Sequence, residues 1–191
     1  MSCRRLLAHA GALGIGLSAM LASGADAAPP CIEMPDGCRV ALDRTREREL
    51  AFVQQAVNAS IRPAGDMEVF GLVEYWTPLE GRARGDCDDY ALSKLHWLTR
   101  LGWPRDALRL TLATLPDGED HLVLAVRTDR GDYILDNLRS APMAWTALPY
   151  TWLGQEVPGS GAWRAIVSEP PVANPAPATS AFPSRRQRPG P

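Results

Sequence analysis

Apolar residues set a helical rhythm in the first half of the chain. Leu50, Val53, Val57 and Ile61 recur at spacings of three and four with charged residues between the early members. This predicts a helix with Thr45 as its N-cap, ended by Pro63 to Gly65. A mixed segment follows, with Phe70, Leu72, Tyr75 and Trp76 as anchors, and then a basic, flexible stretch from Gly81 to Gly85. A second helix is expected from about Cys87 to Arg100, with Leu92, Leu95 and Leu98 as its buried stripe, Gly102 as its stop and Pro104 beyond. The rhythm then shortens to a period of two over Leu108 to Leu115. Leu108 to Leu115, His121 to Val126 and Tyr133 to Leu138 read as strands separated by turns at Pro116-Asp117-Gly118 and Asp129-Arg130-Gly131. An antiparallel meander packed on the helices, an α+β arrangement, is the economical reading. Trp145, Tyr150, Trp152 and the run from Trp163 to Val167 suggest one more covering segment.

The two ends do not join this pattern. Arg4-Arg5, the apolar run from Leu6 to Met20 and the small-x-small triplet Ala25-Asp26-Ala27 read as a secretory signal over residues 1–27. Residues 28–167 would then form one domain, and the Pro-, Ala- and Arg-rich residues 168–191 a disordered tail in which Arg185 and Arg186 are solvated charge. The length of 191 residues suits one domain with a core, and a net charge of −2 gives no polyelectrolyte signal for nucleic acid. Export permits disulfides. Once Cys3 leaves with the signal, Cys31 and Cys38 flank the turn Pro35-Asp36-Gly37 and are expected to pair, which leaves Cys87 as an odd thiol.

Candidate chemistry centres on Gly85-Asp86-Cys87-Asp88-Asp89-Tyr90-Ala91. A cysteine in the first turn of a helix meets unpaired N–H groups and the positive end of the peptide dipoles, both of which favour a thiolate. The same residues also suit a small buried side chain at a helix start, with the acids acting as caps. A cysteine hydrolase needs an imidazole and a group to orient it. His96 lies nine residues beyond Cys87 and falls on the opposite helix face. His121 and Asp136, on successive strands, are the alternative pair. A loop centred between Thr128 and Asp129 would set them face to face, whereas a two-residue turn at Arg130-Gly131 would put Asp136 opposite Ala125, roughly 13 Å from His121 along the strand. The pairing therefore calls for a wider loop or a bulge. A zinc site of Cys87, His121 and Asp136 is a further reading of the same residues.

The Cys87 stretch, His121-Leu122-Val123-Leu124 and Leu135-Asp136-Asn137-Leu138, together with Val57-Asn58 and Tyr75-Trp76-Thr77-Pro78-Leu79-Glu80, resemble the bacterial transglutaminase-like cysteine proteinases over roughly residues 45 to 140. The resemblance implies a papain- or transglutaminase-like α+β fold. It implies Cys87 as nucleophile, His121 as general base and acid, Asp136 as the orienting carboxylate, and Trp76 as an oxyanion candidate beside the Cys87 N–H. The LapG-type periplasmic members of that family cut large biofilm adhesins, answer to an inner-membrane cyclic di-GMP receptor, and bind calcium through acids flanking the cysteine. Those acids map to Asp86 and Asp88, the latter standing where the family usually has the longer Glu. A cation there would relieve the penalty that three carboxylates place on a thiolate. The same triad would also serve acyl transfer or deamidation, and the fold could serve a non-catalytic binding module.

Overall fold

Side chains alternate along the central strand between two apolar cores, one on each face of a single sheet. The computed structural model describes residues 31–35 and 37–166, so the expected export signal and tail lie outside the described residues. Among the described residues there are ten strands: β1 (Cys31–Met34), β2 (Gly37–Val40), β3 (Ile61–Pro63), β4 (Ala83–Gly85), β5 (Leu108–Thr114), β6 (Asp120–Thr128), β7 (Gly131–Leu135), β8 (Met143–Ala144), β9 (Thr151–Val157) and β10 (Ala162–Ala165). Three α-helices accompany them: α1 (Arg44–Ser60), the single turn α2 (Asp66–Val69) and α3 (Cys87–Arg100).

The main sheet runs β1-β2-β6-β5-β9-β10, with β7 also paired to β6 and β8 to β7. Its pairings are antiparallel except for one parallel bridge between Val40 and Thr128. Leu122, Leu124 and Val126 of β6 face the larger core with Leu50, Val53 and Val57 of α1 and Tyr90, Ala91 and Leu98 of α3. Val123 and Ala125 face the smaller core with Ala113, Ile134, Tyr150 and Trp152. The α+β expectation of helices on an antiparallel sheet therefore holds. The covering segment expected near the end of the domain is the β9–β10 hairpin, which extends the sheet beside β5. Cys31 and Cys38 form a disulfide across the β1–β2 hairpin.

Several local expectations change. The N-cap of α1 is Asp43 rather than Thr45, its carboxylate accepting from the Arg46 N–H, the N3 amide, at 2.8 Å. The chain leaves helix at Ser60, and Ile61 begins β3. Residues 83–85 are not a flexible lead-in: they form β4, paired in parallel with β3. In the anchor segment Leu72 and Tyr75 are exposed, while Phe70 and Tyr75 pack on each other with ring centroids 4.8 Å apart. The buried stripe of α3 is Cys87, Tyr90, Ala91, Lys94 and Leu98, and Leu92 and Leu95 are only half-buried. No helix among the described residues is long and apolar enough to cross a membrane.

Candidate active site

The β3–β4 clip joins the end of α1 to the start of α3 and so fixes where Cys87 sits. Gly85 closes β4, and its carbonyl accepts from the Ala64 N–H at 2.9 Å. A Cβ at that position would run into the Asp89 carboxylate and the Leu79 side chain, so the close approach of strand to helix requires glycine. Asp86 is the N-cap of α3, and its own N–H donates to Asp89 Oδ2 at 3.3 Å. Cys87 is then the first helical residue, nearly buried, with its sulfur accepting from the Leu122 N–H at 3.4 Å. The sulfur therefore lies against the start of β6, beside residue 121. The odd-thiol expectation concerned the chain from Ala28 onward; in the full 191-residue chain Cys87 is disulfide-bonded, and its partner lies outside the described residues.

His121 and Asp136 meet directly, with Nε2 of the imidazole 2.8 Å from Asp136 Oδ1 and both side chains buried. No wide loop or bulge is needed, contrary to the expectation. The β6–β7 turn falls at Asp129-Arg130, giving the pairs Thr128–Gly131 through Leu124–Leu135. One further step along that ladder sets Asp136 opposite Val123, on the same face as His121 and two residues from it. That is a diagonal neighbour, within reach of two polar side chains. The chain turns away after Leu135, which frees the Asp136 side chain for the contact.

Asp136 gathers further bonds that sequence reading missed. The Tyr150 hydroxyl donates to Oδ2 at 2.6 Å, and the Leu138 N–H donates to Oδ1 at 2.8 Å. Burial alone would raise this carboxyl, but the bond and charge of His121, the Tyr150 hydroxyl and the Leu138 amide outweigh it and hold it below the usual range. Tyr150 is pushed up to about 12, by burial and then by the carboxylate it serves. The backbone is pinned as well. Gln54 Nε2 donates to the Asp136 and Arg139 carbonyls at 2.6 Å each, and Asn58 Nδ2 to the same two at 3.2 and 2.9 Å. Asn58 was visible as part of a motif; Tyr150 carried no signal beyond being one aromatic among several.

On the other side of Cys87 is a cluster of carboxylates. Asp86 and Asp88 were expected there, and they are joined by Asp66, Glu74 and Asp89. One ligand oxygen from each of Asp66, Glu74 and Asp88, and likewise of Asp66, Asp86 and Asp89, lies within 4.8 Å of the others. Both carboxylate oxygens of Asp88 and one of Asp66 are buried without a hydrogen-bond partner among the described residues. Burial, reinforced by repulsion from Asp86, Asp89 and Asp66, pushes Asp88 up to about 9. Asp89 rises to about 7, chiefly by burial. A fully buried carboxylate with no donor fits a hard cation, which takes oxygen ligands in this way. Asp66 also accepts from the Tyr75 N–H, and Asp89 from the Thr77 N–H at 3.2 Å, so the segment ahead of α3 hangs on the same acids.

The remaining candidates fall outside this set. The Trp76 indole N–H donates to Glu74 Oε2 at 3.4 Å, and the ring meets Trp163 edge-on. His96 lies away from Cys87, 3.7 Å from Glu80.

A nearly buried cysteine opening a helix, beside an imidazole–carboxylate pair on adjoining strands, marks a papain- or transglutaminase-like fold. The chain belongs to the bacterial transglutaminase-like cysteine proteinase family, whose pattern matches residues 26–170. Solved structures of LapG from Legionella pneumophila are similar to it. One is 27% identical, with a TM-score of 0.49, covering 57% of this chain and 64% of that one. The calcium-bound form is 24% identical with a TM-score of 0.51, covering 62% and 67%, and bears on the fold. The EGTA-treated form is 26% identical with a TM-score of 0.47, covering 57% and 62%. The chain thus spans just under two thirds of the length of the first of these relatives. No curated protein matches it.

Proposed function

We propose that the chain is an exported, periplasmic cysteine endopeptidase in which Cys87 is the nucleophile, His121 the general base and acid, and Asp136 the orienting carboxylate. The observation that carries this reading is the buried 2.8 Å bond between His121 Nε2 and Asp136, on the residue next to the one that contacts the Cys87 sulfur. With Nε2 engaged by the carboxylate, Nδ1 is the nitrogen left to take the thiol proton and return it to the leaving amine. Reduced Cys87 attacks the scissile carbonyl and forms a thioester, the amine departs with the proton, and His121 then activates water to release the acid. The N–H of Cys87, in the first turn of α3, would serve the oxyanion, with Trp76 as a second donor only if its indole leaves Glu74.

Calcium fits the carboxylates Asp66, Glu74, Asp86, Asp88 and Asp89, which leave buried oxygens without donors. Its charge would offset those acids, which otherwise oppose a thiolate one residue away. By likeness to its relatives, the substrate is a large surface adhesin and the regulator an inner-membrane cyclic di-GMP receptor. The test incubates the exported form, with Cys87 reduced, and its Cys87→Ala variant with surface proteins of the same cell, with calcium present. Cleavage by the parent alone supports the reading. Isopeptide products with an added amine would point to acyl transfer, and no reaction by either would remove the endopeptidase.

A further inference from the structure

On the face of the sheet turned away from Cys87, the apolar side chains stop short of one end and arginines take over. There β6 carries Val123 and Ala125 in the smaller core and then Arg127, while β5 carries Ala113 in the core and Arg109 further back. Arg39 of β2 stands beside Arg127, since the parallel bridge pairs the residues that follow them, Val40 and Thr128. Arg164 of β10 reaches the same face across β9, through the pairs Arg164–Gln155 and Gln155–Thr111. All four arginines line one cavity of about 280 Å³, with Asp132 and Trp145 also in its wall.

Such a gathering is unfavourable by itself. Arg109 and Arg127 are only 7% and 3% exposed. Their guanidiniums come together over Gly37, where a Cβ would lie 2.5 Å from Nη2 of Arg109 and 3.3 Å from Nη1 of Arg127. Two buried like charges repel, and each has given up hydration. Asp132 is the one carboxylate in the cavity wall, and it is engaged with Arg39 Nη1 at 3.0 Å. Arg39, Arg109 and Arg127 each keep further contacts with the chain. A guanidinium has five N–H groups, however, so such contacts leave others to face the cavity. Arg164 is exposed, and its side chain makes no hydrogen bond or ion pair among the described residues.

Guanidiniums arriving from four strands suit an anion that accepts from several directions. A phosphate group does so, with up to about two negative charges and three acceptor oxygens, whereas a carboxylate offers two oxygens in one plane. We propose that this cavity is an anion site that takes a phosphate group, held by Arg39, Arg109, Arg127 and Arg164. Leu122, whose N–H meets the Cys87 sulfur, precedes Arg127 by five residues, about 17 Å along β6. The anion therefore takes no part at the sulfur, and the site stands whether or not the chain cleaves protein. Its occupant offsets the repulsion among the arginines and so stabilises this end of the sheet.

The experiment titrates the exported full chain with inorganic pyrophosphate by calorimetry at constant ionic strength, with EGTA to remove the calcium that pyrophosphate would sequester. The parent should bind one pyrophosphate per chain with a Kd below about 0.1 mM and melt higher when it is bound. Arg164→Gln should leave the ligand-free melting temperature unchanged and weaken binding at least about tenfold. Arg164→Lys keeps the charge without the planar fork and should fall between the two. Arg62→Gln, exposed on β3, should bind as the parent does. Sedimentation with phosphatidylglycerol vesicles separates the two sources of a phosphate group. Vesicle binding that Arg164→Gln abolishes, without uptake of pyrophosphate, supports the site with a lipid headgroup as its ligand. Equal affinity in Arg164→Gln and parent, acetate bound as tightly as pyrophosphate, or no binding to either source overturns the inference.

Discussion

Asp136 is held from three sides, by the imidazole of His121, the hydroxyl of Tyr150 and the amide of Leu138. Each favours its charged form, and a hydrogen bond to a charged group contributes about 1.5–3 kcal/mol. Tyr150→Phe removes one such bond without changing the shape of the smaller core. Its kcat should fall roughly tenfold, equivalent to about 1.4 kcal/mol in the barrier. The pH dependence has a definite sign. Folding lowers the Asp136 carboxyl below its unfolded value, so its stabilising contribution is present above about pH 4 and is lost as pH falls through the lowered folded value. The gap in melting temperature between parent and Tyr150→Phe should therefore be widest near neutrality and close below about pH 4. A gap that widens with acid would show that Tyr150 acts through packing instead. Residue identities were the most legible part of this site, because Cys87, His121 and Asp136 each stand in a recognisable local stretch. Tyr150, Asp66 and Glu74 were not, since their places in it arise from contacts between distant segments that leave no periodicity in the chain.

Among the elements, the junction of β4 and α3 is the tightest. Gly85 has no room for a methyl group, because Asp89 and Leu79 already occupy that space. Gly85→Ala should cost about 1–3 kcal/mol of stability and displace the first turn of α3, seen as a lower denaturation midpoint together with loss of the reactivity of reduced Cys87. Normal alkylation of Cys87, after reduction, in a folded Gly85→Ala chain would refute that coupling. The elements themselves were largely readable: α3 begins at Cys87 and ends at Arg100 as its punctuation predicts, and β5, β6 and β7 fall on the three predicted runs, β7 ending at Leu135 rather than Leu138. Register was the part that failed, since a turn displaced by one residue moves every cross-strand pair. The signal Asp129-Arg130-Gly131 admits two turn positions. The one adopted puts Gly131, at φ 100°, opposite Thr128, and the β6–β7 ladder follows from that pair. β3 and β4 were missed because three-residue strands are too short to show a period.

For the molecule as a whole, the carboxylate cluster would tie the proposed calcium binding to folding. Without a cation, burial favours the protonated form of Asp88 and Asp89, whose folded values rise to about 9 and about 7. Stability from such raised acids is present at low pH and is lost as pH climbs from about 4 through those values. A chelator-treated chain should therefore melt higher near pH 5 than near pH 8, and calcium should raise the melting temperature more at pH 8 than at pH 5. Asp88→Asn should remove most of the calcium response and, with chelator at pH 8, melt above the parent. An unaltered calcium response in that variant would take Asp88 out of the site. The cluster also shapes the region between β3 and β4. Both feet of the 64–82 stretch are clamped by the clip, and Asp66 and Glu74 project from within it toward α3. It behaves like a strap buckled at its base and pinned along its second half, at Tyr75, Thr77 and Leu79. Residues could be inserted at its outer bend near Gly71, where the backbone is at φ 70° and a Cβ meets nothing, without moving the sulfur. That bend is where the length of the chain can vary while the surroundings of Cys87 stay as they are.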